Sequence, residues 1–393
     1  MNPRDNPFAP GAGSQPPELS GREKVIGDVS IALYRIKNGL SAKSVLMVGL
    51  RGVGKTVLLN RLRADAEAEG FVCAQFESPE NRSLPAMLAP SLRTSLLKLD
   101  RVAGIGDAVH RAFNVLGSFI SSTKVKYQDL EFGFDLGKEV GSADTGDLDY
   151  DLSELLKSVG IAAREKKTAL VLFIDELQYV PEDQLSALIA ALHLCAQDQL
   201  PVVLVGAGLP QLVGNVGKAK SYAERLFNFP VICALPALAA TQALQRPVQA
   251  KEVTFSDGAV AEILEMTKGY PYFLQEWGSH CWAVAEKSTI TVEDAKFATQ
   301  VALTQLDSDF FRVRFDRCTP MEKVYLRAMA EIDLDTPRSG DIAAVMNKEV
   351  HQVAPLRQSL IKKGMIYSPA HGDTAFTVPL FAAYMRRTVP FPA

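Results

Sequence analysis

The sequence predicts an α/β fold with a largely parallel sheet, followed by a helical subdomain and a C-terminal winged helix-turn-helix. Short apolar runs alternate with amphipathic helical stretches from residue 44 to residue 231, which is typical of βαβ units. Only helices are predicted over residues 236–308. After them, three predicted helices precede two short strands joined by His371-Gly372-Asp373, which is the order of parts in a winged helix.

Composition sets the domain boundaries. Residues 1–17 contain five prolines and two glycines, so we expect a disordered lead-in. We expect the α/β domain over residues 18–235, a helical lid over 236–308 and the winged helix over 309–393.

An insertion is predicted at about residues 121–150 of the α/β domain. Residues Val125 to Leu136 alternate polar and apolar side chains, as a β-hairpin does. Residues Glu139 to Tyr150 are acidic, but their spacing does not match a calcium loop. We therefore expect a solvated linker there.

Bulk properties exclude some classes of protein. The formal net charge is -3, so the chain as a whole has no polybasic signature of nucleic-acid binding. The five cysteines are scattered, as expected for reduced thiols in a cytoplasmic protein. The longest apolar run, Ala169 to Ile174, is strand-sized, so we expect no membrane segment.

A phosphate-binding loop is predicted at Gly49-Leu50-Arg51-Gly52-Val53-Gly54-Lys55-Thr56. The loop follows a short apolar strand and precedes a helix that continues through Val57, which is the setting that this motif requires. Its glycines would turn backbone N–H groups toward an anion, and the helix N-terminus would add positive potential. Lys55 would reach the terminal phosphates and Thr56 would hold Mg²⁺. The alternative is a chance glycine turn before a helix.

Two carboxylates follow the apolar run that ends at Ile174. Asp175 is the expected Mg²⁺ partner, and Glu176 is placed to polarise the attacking water. The alternative is a pair of acids that end a strand at the solvent boundary.

A polar side chain that contacts the terminal phosphate is not evident at the end of the next strand, Gly206-Ala207-Gly208, and Gln211 is the nearest candidate. Arg225 is expected to stabilise transition-state charge, either in cis or from a neighbouring subunit. A surface ion pair with Glu224 is the equally weighted alternative for Arg225.

Two segments are candidates for the adenine pocket. Gly21 and Arg22 lie in a tight turn ahead of the first strand, although the turn could equally be a helix cap that closes the sheet edge. Pro271 begins a lid helix after Gly269-Tyr270, where proline is tolerated. The alternative for this second segment is a plain helix start with aromatic core residues.

The predicted winged helix has a modest positive excess. It contains 12 Lys and Arg residues against 8 Asp and Glu residues from residue 311 onward, and its third helix carries Arg357, Lys362 and Lys363. Such a helix could enter a DNA major groove. Its apolar side chains show that one face belongs to the core.

From about Pro17 to Arg387, the chain resembles the prokaryotic ATPases of the AAA+/STAND kind that are related to the origin-recognition initiator ATPases. The resemblance rests on five segments of the sequence: Glu18-Leu19-Ser20-Gly21-Arg22-Glu23, the phosphate loop, Phe173-Ile174-Asp175-Glu176-Leu177-Gln178, Gly206-Ala207-Gly208-Leu209-Pro210 and Gly269-Tyr270-Pro271-Tyr272. It implies that the first segment lies against adenine and that the last marks a nucleotide-facing lid. Initiator relatives usually carry an arginine in the lid helix near Gln275 and Glu276, and this departure favours a slow, switch-like ATPase.

The resulting hypothesis is a slow, Mg²⁺-dependent ATP hydrolase that binds ATP or ADP and repositions its winged helix. The alternatives are a protein whose binding to duplex DNA is regulated by ATP and a non-catalytic scaffold that docks a protein partner. A homo-oligomer is a further open expectation. The expected catalytic residues are Glu176, Lys55 and Arg225; the expected nucleotide-binding residues are Gly49, Arg51, Gly52, Val53, Gly54, Lys55, Thr56, Val57, Gly21, Arg22 and Pro271; and the expected metal ligands are Thr56 and Asp175.

Overall fold

The computed structural model describes residues 1–11, 19–80, 82–103, 106–122, 139, 141–332, 334–370 and 372–391. The chain separates into two compact units. An α/β unit comprises Arg22–Val48 and Lys55–Ile232, and a helical unit comprises Met1–Gly21, Gly49–Gly54 and Cys233–Ala393. The glycine-rich part of the phosphate loop therefore belongs to the helical unit, whereas Lys55 and Thr56 belong to the α/β unit. The regions predicted as lid and winged helix share one unit.

The α/β unit is built on a parallel sheet, as predicted. Its strands in the described part of the chain are β1 (Ser44–Val48), β2 (Val72–Glu77), β3 (Leu170–Asp175), β4 (Val202–Gly208) and β5 (Phe227–Asn228). They pair in the order β2-β3-β4-β1-β5. Strands β1, β3 and β4 are buried along their whole length, which explains their continuous apolar sequences. The predicted α/β fold class with a parallel sheet is confirmed.

Helices cover this sheet and complete the core of the α/β unit. The described helices are Glu23–Lys37, Lys55–Ala68, Leu84–Ala103, Asp107–Ser122, Leu148–Glu165, Glu182–Gln197, Gln211–Ala219 and Ala223–Leu226, with a 3-10 turn at Leu177–Tyr179. The apolar faces of the helices from Leu84 onward form one cluster with the strands, from Leu46 to Phe227. This packing holds the carboxyl ends of β1, β3 and β4 at a common edge.

The helical unit has a second core that runs through both predicted C-terminal regions, from Phe8 to Met385. Its described helices are Ala237–Gln249, Asp257–Thr267, Pro271–Val284, Val292–Gln305, Arg312–Asp316, Pro320–Glu331, Ser339–Val345, Val350–Lys362 and Phe381–Thr388, with a π-helical segment at Leu306–Phe311. Thr254–Phe255 pairs with Thr289–Ile290 in parallel, and Ile366–Tyr367 pairs with Ala375–Phe376 in an antiparallel ribbon. Three helices and this ribbon are the parts expected for a winged helix.

The first eleven residues differ from the expected disordered lead-in. Pro3–Asp5 forms a 3-10 turn, and the N-terminal amine of Met1 donates to the carbonyl of Ala285 at 2.6 Å. Phe8 is 5% exposed and packs against Gly278, where an added Cβ would lie 2.5 Å from its ring. One buried aromatic side chain thus anchors a segment whose proline content predicted disorder. Residues 12–17 lie outside the described residues.

The predicted insertion is only partly described. The hairpin expected at residues 125–136 lies outside the described residues. The acidic stretch is not simply solvated, because Asp151 is 0% exposed and accepts hydrogen bonds from Thr145 and Gly146. Asp147 caps the helix that follows by accepting from two backbone N–H groups. The carboxylates of Asp147 and Asp151 accept hydrogen bonds from backbone N–H groups, a role that a count of acidic residues does not reveal.

None of the helices in the described ranges combines the length and the apolar character that crossing a bilayer requires.

Candidate functional site

Asp175 and Thr56 meet at the carboxyl edge of the sheet. Asp175 ends β3, and Thr56 is the second residue of the helix Lys55–Ala68 that follows the phosphate loop. The Thr56 hydroxyl donates to the Asp175 carboxylate at 2.6 Å. Burial raises the pKa of Asp175, while the Thr56 hydrogen bond opposes this rise and the positive charge of Lys55 opposes it further. Lys55 is itself 6% exposed, so a buried cation and a buried anion lie together here.

Glu176 adopts a constrained conformation one residue further on. Its backbone is left-handed, with φ of 53°, which is uncommon for a residue with a side chain. Its N–H donates to the Asp175 carboxylate at 2.8 Å. Its own carboxylate accepts a hydrogen bond from the side-chain amide of Gln178. The strained turn therefore directs the two neighbouring acids to different partners.

Gln178 links Glu176 to the end of β4. The Gln178 carbonyl oxygen accepts from the backbone N–H of Leu209 at 2.9 Å. An added Cβ at Gly208 would lie 2.7 Å from this same oxygen, so only glycine admits the Gln178 side chain there. Gln178 lies in the predicted segment Phe173-Ile174-Asp175-Glu176-Leu177-Gln178, but that segment alone does not predict a role for it. The sequence feature that points to Gln178 is the end of β4, which has no polar side chain and so leaves space for a side chain from another segment.

The glycine-rich part of the phosphate loop is held by main-chain bonds within the helical unit. Gly52 and Gly54 have φ of 82° and 89°, the left-handed region that a phosphate-binding turn requires. The N–H of Tyr272 donates to the Gly52 carbonyl at 3.1 Å, and the N–H of Arg51 donates to the Thr377 carbonyl at 3.3 Å. The sequence places Tyr272 in the expected nucleotide-facing segment but does not predict its contact with Gly52, and it gives no sign of Thr377, since no local pattern reveals a partner more than 200 residues away.

The two predicted adenine segments are well defined in the structure. Gly21 has φ of 74°, and an added Cβ would lie 2.9 Å from that of Ala239. Gly269 accepts from the Leu235 N–H at 2.8 Å and allows no side chain, because an added Cβ would lie 2.4 Å from the Leu235 carbonyl oxygen. Pro271 then starts the helix Pro271–Val284. Both segments thus contact residues 235–239 of the helical unit.

The other predicted nucleotide-binding residues take ordinary places in the fold. Arg22 is the N-cap of the helix Glu23–Lys37, Val53 is buried, and Val57 lies in the helix that Lys55 begins.

Arg225 is exposed on the short helix Ala223–Leu226. No carboxylate of the described residues lies within ion-pair distance of it, so the alternative pair with Glu224 is not formed there. The Gln211 side-chain oxygen is buried and has no hydrogen-bond partner among the described residues.

The residues at the edge of the sheet fit a magnesium ion and a chain of phosphates. Hydroxyl and carboxylate oxygens, here from Thr56 and Asp175, are ligands that Mg²⁺ prefers, with phosphate oxygens and water completing the shell. The described residues contain no group of three or more His, Cys, Asp or Glu side chains that could hold a metal. The positive-φ glycines and the helix that starts at Lys55 fit the anion.

Two of the three cations in the predicted recognition helix are engaged within the protein. Arg357 donates to Ser368 and to the Asp373 carbonyl at 2.7 and 2.9 Å. Lys363 pairs with Glu322 at 2.6 Å. Lys362 is exposed. The helix therefore offers less free positive charge than its sequence indicates.

The sheet order, the phosphate loop and the paired Thr56 and Asp175 define a P-loop ATPase. Residues 18–205 match the family described as AAA ATPase domain, and residues 308–385 match the family described as Domain of unknown function (DUF8462). The match of residues 18–205 confirms the prediction of a P-loop ATPase of the AAA+ kind.

Several solved structures are similar to the chain over nearly its whole length. The Walker-type ATPase of Pyrococcus abyssi is 16% identical, with a TM-score of 0.59, covering 94% of this chain and 96% of that chain. The Orc1 protein of Aeropyrum pernix in complex with DNA is 14% identical, with a TM-score of 0.48 and coverage of 95% and 94%. Cdc6p of Pyrobaculum aerophilum is 16% identical, with a TM-score of 0.49 and coverage of 98% and 97%. No curated protein matches the chain.

Proposed function

We propose that the protein binds ATP with Mg²⁺, hydrolyses it slowly and uses the difference between ATP and ADP to reposition its predicted winged helix. The observation that carries the ATPase part is the 2.6 Å hydrogen bond between Thr56 and Asp175, next to the buried Lys55. The sheet brings together a phosphate-loop hydroxyl and a strand-end carboxylate that lie far apart in the sequence. This pairing of oxygen ligands suits a metal-bound triphosphate.

Each residue of the site has a proposed role. The backbone of Gly49, Arg51, Gly52, Val53 and Gly54, continuing through Val57, would cradle the phosphates. Lys55 would neutralise the terminal phosphates, while Thr56 and Asp175 would hold Mg²⁺. When bound, Mg²⁺ would neutralise the charge that develops on the phosphate oxygens.

The remaining residues have proposed roles in ATP hydrolysis and in binding the adenine ring. Glu176 would orient and polarise the attacking water, and Gln178 would position its carboxylate. Gly21, Arg22 and Pro271 would border the adenine. Arg225 would stabilise transition-state charge, in cis or in a second copy of the chain.

The switch is supported by what the phosphate loop contacts in the helical unit. Gly52 accepts from Tyr272 at the start of the helix Pro271–Val284, and Arg51 donates to Thr377 beside the C-terminal ribbon. A loop that changes its main-chain hydrogen bonds when a nucleotide binds would therefore act directly on both segments. Nucleotide-dependent populations of two states would follow.

Turnover and binding measured together test the ATPase. We expect Glu176→Gln to bind ATP normally and to hydrolyse it roughly 100-fold or more slowly, because it removes the base that polarises water. We expect Lys55→Ala to weaken both binding and hydrolysis. If both variants bind and hydrolyse ATP like the unaltered protein, the assignment is wrong.

Hydrogen exchange tests the switch separately. Glu176→Gln should hold ATP without turnover, so its exchange can be compared with ATP and with ADP. We expect the backbone amides of residues 365–377 and 270–274 to differ between the two nucleotides. Identical exchange in both segments, with ATP bound, would leave an ATPase that is not a switch of this kind.

The alternative hypotheses lead to other measurements. Arg357 and Lys363 are each bonded to other residues of the protein, which counts against DNA binding. The DNA-binding hypothesis would require a salt-dependent affinity for duplex DNA that falls in Lys362→Glu. A homo-oligomer in which Arg225 acts on a neighbour would show an ATP-dependent mass. A scaffold would lose its protein partner when residues 125–136 are deleted.

A further inference from the structure

Arg314 has an unusual environment for an arginine. It lies in the helix Arg312–Asp316, directly after the π-helical segment Leu306–Phe311. Its guanidinium carbon lies 3.8 Å from the centre of the Phe310 ring, and its Nη1 donates to the Phe310 carbonyl at 3.1 Å. π-helical turns are rare and are frequently found at functional sites.

A short series of contacts leads from Arg314 to the phosphate loop within the helical unit. The Phe310 ring stacks on Tyr272, with centroids 4.9 Å apart and planes inclined by 18°. Tyr272 donates its N–H to Gly52, and its Cβ would lie 3.3 Å from a Cβ added at Gly52. The Tyr272 hydroxyl donates to Glu276 at 2.6 Å, which orients the ring. Arg314 is thus attached to a stack that rests on the glycine-rich loop.

The charge of Arg314 is not balanced within the described part of the protein. No carboxylate there lies within ion-pair distance of its guanidinium, which is partly buried. Burial lowers the pKa of Arg314 to about 10, and the nearby positive charge of Arg51 in the phosphate loop contributes to this shift. Withdrawing a cation from water beside a second cation is unfavourable unless an anion binds there.

The neighbouring lid helix does not supply a cation of its own. The helix Pro271–Val284 contains no Lys or Arg. Gln275 accepts a hydrogen bond from the Ala9 N–H at 3.1 Å, and Glu276 is negative and bonded to Tyr272. Arg314, by contrast, carries a positive charge near enough to Arg51 of the phosphate loop for the two charges to interact.

We propose that Arg314 is a binding residue for the phosphate oxygens of the nucleotide. It rests on the proposed function, since it assigns a residue to the same site. The planar guanidinium offers several donors in a fixed arrangement that matches phosphate oxygens, and its stacking on Phe310 orders it before the ligand arrives. An arginine ordered in this way would also connect nucleotide occupancy to the start of the predicted winged helix, where the predicted lid ends.

Thermal unfolding and equilibrium binding with the full chain test this role. We expect Arg314→Ala to leave the Tm without nucleotide unchanged or higher, because it removes an unbalanced cation. In contrast, its affinities for Mg-ATP and Mg-ADP should fall roughly 10-fold or more, as expected for loss of a charge-assisted hydrogen bond. Arg314→Lys should retain part of the affinity, because it keeps the charge but not the planar donors.

Arg312→Ala is the matched control. Arg312 lies on the same helix, is exposed and pairs with Asp316 at 3.7 Å, so its variant should bind nucleotide like the unaltered protein. If Arg314→Ala lowers the Tm without nucleotide and leaves both affinities unchanged, Arg314 only packs against Phe310 and the proposal is overturned. If the unaltered protein binds neither nucleotide, the proposed function fails as well. Normal ATP binding by both the unaltered protein and Arg314→Ala overturns this inference alone.

Discussion

The two halves of the phosphate loop are held by different kinds of neighbour. Lys55 and Thr56 belong to the α/β unit, where Thr56 bonds to a side chain at the end of a buried strand. Residues Gly49–Gly54 belong to the helical unit, where main-chain atoms of Tyr272 and Thr377 bond to Gly52 and Arg51. Thr56 is bonded to a residue whose position is fixed by the register of the sheet, whereas Gly52 and Arg51 are bonded to segments that are distant in the sequence.

This difference suggests a division of roles along one loop of eight residues. A buried sheet cannot move Asp175 relative to its paired strands without breaking a ladder of hydrogen bonds, so the part of the loop that contains Lys55 and Thr56 is suited to the proposed chemistry. The main-chain hydrogen bonds of Gly52 and Arg51 to distant segments are easier to exchange than a sheet ladder, so the glycine-rich part is suited to the proposed sensing of the bound nucleotide. Substitutions on each side should therefore affect different measurements.

The largest effect should come from Asp175→Asn in the α/β unit. Loss of the carboxylate removes a metal ligand, and metal-ion stabilisation of transition-state charge is worth several kcal/mol. We expect ATP hydrolysis to fall on the order of 100-fold or more, with nucleotide affinity in EDTA unchanged. Steady-state phosphate release as a function of Mg²⁺ concentration measures this. Asp198→Asn, at an exposed acid that pairs with Lys157, is the control and should behave normally. Unaltered Mg²⁺ dependence in Asp175→Asn would remove the metal site from this edge of the sheet.

A smaller effect is expected for Gln178→Ala. Gln178 contacts Glu176 and Leu209 but would not contact the nucleotide, so it is a positioning residue. We expect kcat to fall roughly 10-fold with little change in KM, since a less ordered base lowers the rate of the chemical step. Single-turnover hydrolysis measures this step directly.

The exposed Gln197 at the end of the helix Glu182–Gln197 provides the control for Gln178→Ala. Gln197→Ala should retain the full rate. Gln178→Glu offers a second comparison, because it keeps the length of the side chain but places a second carboxylate beside Glu176, and it should be slower than Gln178→Ala. A normal rate in Gln178→Ala would mean that Glu176 is ordered without it.

Gly52→Ala in the helical unit and Gly70→Ala in the α/β unit form a matched pair. Their φ values are 82° and 80°, so each alanine should cost about 1–2 kcal/mol of stability in the left-handed region. The added Cβ at Gly52 would lie 3.3 Å from Tyr272, whereas nothing lies within 4 Å at Gly70. We expect similar Tm decreases in the two variants but a several-fold loss of ATP affinity only in Gly52→Ala. Equal affinities would show that the contact with Tyr272 does not influence the loop.

The sequence predicts the features of the α/β unit better than the contacts of the helical unit. The strand β3, the phosphate loop and the acids at Asp175 and Glu176 are local patterns, and each lies where the apolar runs and glycine spacing predict it. The contact of Tyr272 with Gly52, the place of Thr377 and the environment of Arg314 are not predictable in this way, because they depend on tertiary contacts between segments whose local sequences carry no sign of one another. The N-terminal residues differ from the expected disorder for a related reason. Prolines predict an irregular chain, but they do not reveal that Phe8 packs beside Gly278.

The smallest effect on turnover is expected at Glu322, which stabilises the C-terminal part of the helical unit. Its carboxylate accepts from Lys363, Ser359 and the N–H of Thr319. Burial opposes the charged form, but these hydrogen bonds outweigh it and lower the pKa to about 2. Because the pKa is lowered in the folded state, the stabilisation is present above the ordinary pKa of about 4.3 and is lost as the pH falls through 2. Glu322→Gln should therefore lower the free energy of unfolding by about 1–3 kcal/mol at neutral pH, and the difference from the unaltered protein should shrink as the pH falls below 4.

Urea unfolding across this pH range measures the difference between Glu322→Gln and the unaltered protein. Glu331→Gln is the control, at a half-exposed acid paired with Arg327, and it should show a smaller change. A pH-independent difference would mean that Glu322 acts through packing rather than charge, and a large loss of ATP turnover would mean that the C-terminal region controls the chemistry as well as reporting it.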